Sequence, residues 1–163
     1  MKPILSAVFS LALVGCATYQ PVPPGYTGSV ATVSDSGFSE GGTKAQLFVL
    51  AEIDGNLIAN SFGASARASH GQGFSLTTRF VSRQIPAKPM KVTLRASHTT
   101  GAPIQALFSQ AAGTFFSVDG VVDFSPLPDG KYIVKGELKK EGSSVWIEDA
   151  STSQPVTEKV FKK

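Results

Sequence analysis

The chain has 163 residues, 42% of them hydrophobic, a mean hydropathy of +0.08 and a net charge of +3. That length supports one domain with a real core, and the apolar content excludes wholesale disorder. A charge this mild demands no nucleic-acid partner, and a single cysteine excludes both an internal disulfide and a cysteine-rich metal site.

The first elements in chain order belong to export. Lys2 supplies a positive start, and residues 4–13 are apolar except for Ser6 and Ser10. This run is shorter than the about 20 apolar residues a membrane span requires. A charged start, an apolar centre and a small-residue end form a signal peptide, here residues 1–15. Its end, Leu13-Val14-Gly15-Cys16, resembles the bacterial lipobox. The resemblance implies cleavage before Cys16 and acylation of that residue. Lipid chains on Cys16 would then anchor the protein without any transmembrane helix. Ala17 follows Cys16 where inner-membrane lipoproteins carry Asp, so the resemblance implies the outer membrane, with the domain facing the periplasm.

Residues 16–27 contain Pro21, Pro23, Pro24 and Gly25 and read as a stiff tether. Extended at about 3.1 Å per residue, it would lift the domain roughly 30 Å from the bilayer. Residues 28–163 then read as one domain of short strands. Weak alternation marks 29–33, and the apolar run 44–53 reads as a central strand. Asp54-Gly55 is a hairpin turn with a return over 56–59. Residues 61–73, rich in Gly, Ser and Ala, read as a long loop. Alternation predicts strands over 74–83, with Phe74, Leu76 and Phe80 inward, and over 90–97, with Val92, Leu94 and Ala96 inward. Residues 103–113 are either a short helix, with Ile104, Leu107, Phe108 and Ala111 at helical spacing, or an irregular crossover. Further strands follow over 114–124, with Gly120 as a candidate bulge, then 131–139, 145–148 and 156–161.

Seven to eight short strands with frequent turns predict an all-β protein, a single antiparallel β-sandwich with one short helix near 103–112. Leu127-Pro128-Asp129-Gly130-Lys131-Tyr132 resembles the corner of immunoglobulin-like and transthyretin-like domains. There the tyrosine hydrogen-bonds the backbone upstream, and Gly130 would supply backbone freedom. Residues from Phe74 onward, through Tyr132–Leu138 and Val145–Asp149, are similar to a group of proteobacterial lipoproteins to which no activity attaches.

No residues form a convincing catalytic set. His70 lies in the Gly/Ser segment and His98 at a strand end. There is no Gly-x-Ser-x-Gly elbow, and no carboxylates stand at metal-ligand spacing. No metal or cofactor is expected, and a small hydrolase is the reading from another class. It would need His70 or His98 in a concave pocket beside a serine and a carboxylate.

Two surface features remain. Trp146 lies between Val145 and Ile147; if these face the core, Trp146 faces out and stacks on a ligand, unless it is inward or covered. Residues 56–114 hold no Asp or Glu but contain Arg67, Arg79, Arg83, Lys88, Lys91 and Arg95. If the strands carrying them are neighbours, Arg79, Arg83, Lys91 and Arg95 make one basic face for an anionic glycan or an acidic envelope protein. The plainer alternative pairs them with Asp119, Asp123 or Glu137. The sequence therefore predicts a lipid-anchored envelope protein that is a non-catalytic binding or accessory module. An assembly helper of the pilotin type, which needs an exposed apolar patch or an open sheet edge, is its neighbour.

Overall fold

The computed structural model describes residues 18–162. The signal peptide and Cys16 lie outside the described residues. The fold is a β-sandwich of two sheets with two short helices. Strands β1 (Val30–Ser34), β5 (Ser82–Pro86), β8 (Lys131–Glu137), β9 (Ser143–Asp149) and β10 (Val160–Lys162) form one sheet in the order β10-β9-β8-β1-β5. Strands β2 (Ser36–Glu40), β3 (Lys44–Ile53), β6 (Met90–Thr100) and β7 (Ser117–Phe124) form the other, and β4 (Asn56–Leu57) pairs with the end of β3. Pairing is antiparallel except between β1 and β8, which run parallel. Asp35 alone separates β1 from β2, so one extended stretch passes from the first sheet into the second.

Period-2 patterning places the core. On β6, Val92, Leu94 and Ala96 point inward as expected, against Val33, Ile85, Val134 and Ile147 of the facing sheet. β3 is apolar on both faces because both are covered. Phe48 and Leu50 enter the main core, while Leu47, Val49 and Ala51 form a second cluster beneath Phe62 of a helix. The register shift lies between Leu50 and Glu52 of β3, not at Gly120. Gly120 instead makes room for Val160, whose side chain occupies the place a Cβ would take.

The largest departure from the sequence reading is at residues 61–83. Helix α1 (Ser61–Ser69) replaces the expected loop, capped by Asn60, whose Oδ1 accepts from the Phe62 and Gly63 amides at 3.1 and 3.4 Å. Its buried residues are Ser61, Ser65 and Ser69, four apart on one face. Their hydroxyls accept from the amides of Val81 at 3.0 Å, Arg79 at 2.9 Å and Thr77 at 2.9 Å. Four helical residues rise about 6 Å, close to the about 6.6 Å spanned by two extended residues. The two periods therefore match, and the helix takes the place of a pairing strand. Regular strand begins only at Ser82, and Phe74 and Phe80 are exposed rather than inward.

Within the expected tether, Tyr19 bridges Ile58 in parallel and residues 18–21 line a cleft with Ile58 and Arg83. The Tyr132 corner does form: its hydroxyl accepts from the Leu127 amide at 2.9 Å, and its ring meets Phe124 edge-on at 5.1 Å between centroids. The left-handed residue of that turn is Asp129, with φ of 58°. Gly130 serves differently, because a Cβ there would strike the Tyr132 ring. Tyr132→Phe is expected to lower stability by about 1 kcal/mol, the net value of a buried hydrogen bond, with the ring packing retained. An unchanged urea midpoint would count against the corner.

Candidate functional site

Of the four cations expected on one basic face, Lys91 and Arg95 share the solvent side of β6, and Arg79 and Arg83 lie elsewhere. β5 and β6 belong to different sheets, so Arg83 cannot share a face with Lys91 and Arg95. Arg79 is exposed on the extended segment held by α1. Lys91 pairs with Asp123 at 3.0 Å on the solvent side, and Arg95 stands opposite Asp119 in register. The single basic face is not assembled, because strand neighbours rather than sequence neighbours decide which charges meet.

Arg83 is the unusual one. Its side chain is 91% buried, and its Nη2 lies 2.7 Å from Oδ2 of Asp35, whose side chain is fully buried. Asp35 Oδ1 also accepts from the Leu50 amide at 3.1 Å, and Oδ2 accepts from the Ser61 amide and hydroxyl, both at 2.8 Å. The carboxylate sits at the N-terminus of α1, where the helix dipole favours negative charge. Arg83 also borders a cleft of about 200 Å³ closed by the tether residues Thr18–Pro21.

Trp146 does not present a stacking face. Val145 and Ile147 fill the core and Trp146 points outward as the alternation requires, yet it is buried. The Lys159 ammonium lies 3.9 Å from the ring centroid, and the indole N–H donates to Glu148 at 2.7 Å. The segment returning to β10 covers it.

Both histidines border one groove of about 470 Å³ at the end of the sandwich where β6 finishes. Ser69, Gly73, Thr100, Pro103 and Phe115 complete much of its wall. This meeting of Ser69, His70 and His98 is the arrangement a hydrolase reading asks for, and hydrogen bonding argues against it. Ser69 Oγ donates to the Ser65 carbonyl at 2.8 Å and accepts from the Thr77 amide at 2.9 Å. His98 is buried, with Nδ1 3.0 Å from the Phe116 amide, which donates to it. That leaves the proton on Nε2, 3.4 Å from Glu40 Oε1. Both ring nitrogens are therefore occupied in joining β6 to Phe116, just ahead of β7, and to Glu40 of β2.

Burial, and after it the Lys44 ammonium, holds the His98 imidazole below its ordinary value against the opposing pull of Glu40. Burial pushes Glu40 upward, yet the Gln46 amide, His98 and Lys44 together outweigh it, and its carboxyl lies below the ordinary range. Among the described residues no three His, Cys, Asp or Glu side chains come together as a metal site.

Beside this groove stands helix α2 (Pro103–Ala111), which settles the choice between helix and crossover. Pro103 opens it, Gln105 Oε1 accepts from the Ala102 amide at 3.0 Å, and Gly113 with φ of 66° ends it. None of its side chains is buried; Ile104, Leu107 and Phe108 are 44%, 60% and 68% exposed. The helical spacing of these residues was visible in the sequence. Their exposure was not, because an apolar helical stripe ordinarily faces a core.

The chain matches no protein-family model, no curated protein and no solved structure.

Two predictions follow from the buried polar groups. Asp35→Ala is expected to cost about 3–5 kcal/mol, the usual penalty for leaving one member of a buried pair alone. Asp35→Ala with Arg83→Met should recover part of that loss, and a double variant no more stable than Asp35→Ala in urea denaturation would dismiss the pairing. For His98 the folded value is depressed, so its contribution is whole above the ordinary value of 6.5. Below that pH the unfolded chain binds a proton that the folded chain resists, and stability falls until the folded value is passed. Glu40 acts in the same direction below its ordinary value of 4.5. His98→Gln should flatten the stability profile just below pH 6.5; an unaltered slope would assign the titration elsewhere.

Proposed function

We propose that the chain is a lipid-anchored envelope protein, acylated at Cys16 and held on the periplasmic face of the outer membrane, that works as a non-catalytic binding module. The observation that carries the binding role is α2. Its Ile104, Leu107 and Phe108 lie uncovered beside a groove. An exposed apolar helix face bounded by a groove is the geometry on which an amphipathic segment of another protein docks. The anchor rests on the lipobox resemblance of Leu13–Cys16. No described helix is long and apolar enough to cross a membrane, in keeping with attachment by lipid. The immunoglobulin-like or transthyretin-like reading of the sandwich is supported by the Tyr132 corner.

The same helix face favours the assembly-helper form of this reading over recognition of an anionic glycan, for which only Lys91 and Arg95 share a face, each opposite an aspartate of β7. An assembly helper presents apolar surface to a client of a larger envelope complex, and α2 carries no charged side chain that would restrict the client to an acidic or basic one.

The test is photocrosslinking in intact cells from a photoreactive residue in place of Phe108, with one in place of Asp119 on the solvent face of β7 as control. A discrete adduct at Phe108 alone, abolished by Leu107→Asp, is the expected result. Equal labelling at both positions would remove α2 as the binding surface. In the same cells Cys16→Ser should move the protein out of the membrane fraction, and its retention there would overturn the anchor.

A further inference from the structure

The described chain begins at Thr18, two residues after Cys16, and it enters the fold in a defined direction. β4 rises from the Asp54-Gly55 turn towards Ile58, and Tyr19 bridges Ile58 in parallel. Thr18, the described residue ahead of Tyr19, therefore lies on the side of that turn. The three steps from Cys16 to Tyr19 reach at most about 11 Å. An attachment at Cys16 therefore cannot reach the opposite end of the sandwich, where β3 begins at Lys44.

The near end gathers the Asp54-Gly55 turn, the 86–90 connection between β5 and β6, and the 124–131 connection carrying the tyrosine corner. Two leucines stand out there: Leu57 is 66% and Leu127 is 70% exposed. The charges around them are mixed. Lys88 and Lys131 are exposed, as are Asp54 and Asp129, so the end has no strong electrostatic preference and its distinguishing feature is apolar. α2 lies at the other end. β3 runs from Lys44, paired with Thr100 just before α2, down to Ile53. Nine strand steps of about 3.3 Å put the two ends roughly 30 Å apart.

Resting on the reading that Cys16 is acylated, we propose that the bilayer itself is the partner of this end. Leu57 and Leu127 seat at the boundary between headgroups and acyl chains, and the domain stands on the membrane with α2 held away from it. Two leucines are too little apolar surface to bring a free protein to a bilayer. Once lipid chains hold Cys16 in the membrane, seating them is an intramolecular event at high effective concentration, and a small apolar gain then orients the domain. The short reach from Cys16 to the Tyr19 bridge makes the opposite orientation geometrically inaccessible while that bridge holds.

The experiment uses the full-length lipoprotein, purified from membranes and reconstituted into phosphatidylethanolamine–phosphatidylglycerol vesicles. An environment-sensitive fluorophore is attached in turn at Leu57→Cys, Leu127→Cys and Phe108→Cys, all exposed positions. Nitroxide-labelled lipid is then added as quencher. An acylated Cys16 does not take the dye. Labels at 57 and 127 should be quenched severalfold more strongly than the label at 108. Equal quenching at all three positions, or stronger quenching at 108, in protein that floats with the vesicles would overturn the orientation alone. Wild-type protein that fails to float, or that takes up the dye, would overturn the anchor and the orientation with it.

Discussion

Asp35 is the carboxylate on which the arrangement of elements depends. It sits in the single residue between β1 and β2, where the chain crosses from one sheet to the other. From there it takes hydrogen bonds from β3 through Leu50 and from the start of α1 through Ser61, and it faces the Arg83 guanidinium of β5. A buried carboxylate is tolerated only when its lone pairs are filled, and here four contacts from three other elements fill them. The strand that joins the sheets, the helix that covers one of them and the edge strand of the other are thereby set relative to one group. Burying an ion pair contributes little net stability by itself. What this one supplies is position, because no shifted packing of these elements would satisfy the same oxygens.

The serine face of α1 extends that constraint. A helix packed by hydroxyls rather than methyls gains little from the hydrophobic effect, and Ser61, Ser65 and Ser69 are instead satisfied as acceptors for the amides of residues 77, 79 and 81. The outer face of β3 is closed by this arrangement through Leu47, Val49, Ala51 and Phe62. At the far end of the same sheet His98 and Glu40 do comparable work, tying β6 to Phe116, just ahead of β7, and to β2 beside the groove. Ser69 and His98, which resemble catalytic candidates by type, are bonded within the sandwich, whereas His70 is exposed. The apolar face of α2, with Ile104, Leu107 and Phe108 exposed, takes no part in this bonding.

These observations describe a molecule with two distinct ends. One holds the Tyr19 bridge to Ile58 and exposes Leu57 and Leu127. The other exposes Ile104, Leu107 and Phe108. If Cys16 is acylated as proposed, the exposed face of α2 would stand away from the bilayer, at a distance set by the length of β3.

Much of the framework was legible in the residues alone. Period-2 alternation identified the inward residues Val92, Leu94 and Ala96 of β6, because one side of that strand faces the core. Pro103, the spacing of Ile104, Leu107 and Phe108, and Gly113 marked a candidate helix, and the corner motif announced the Tyr132 hydrogen bond. These signals are local, since they depend only on neighbours within a few positions along the chain. What tertiary structure alone decided is nonlocal. A segment rich in Gly, Ser and Ala became α1 because the amides of residues 77, 79 and 81 are spaced to meet serines four apart. Arg83 left the expected basic face because Asp35, 48 positions earlier in the sequence, is buried beside it. Trp146 lost its ligand-facing surface to Lys159, and among the described residues nothing buries Ile104, Leu107 or Phe108 of α2. Side-chain periodicity tells which way a residue points, but what it meets there is set by pairings between distant segments.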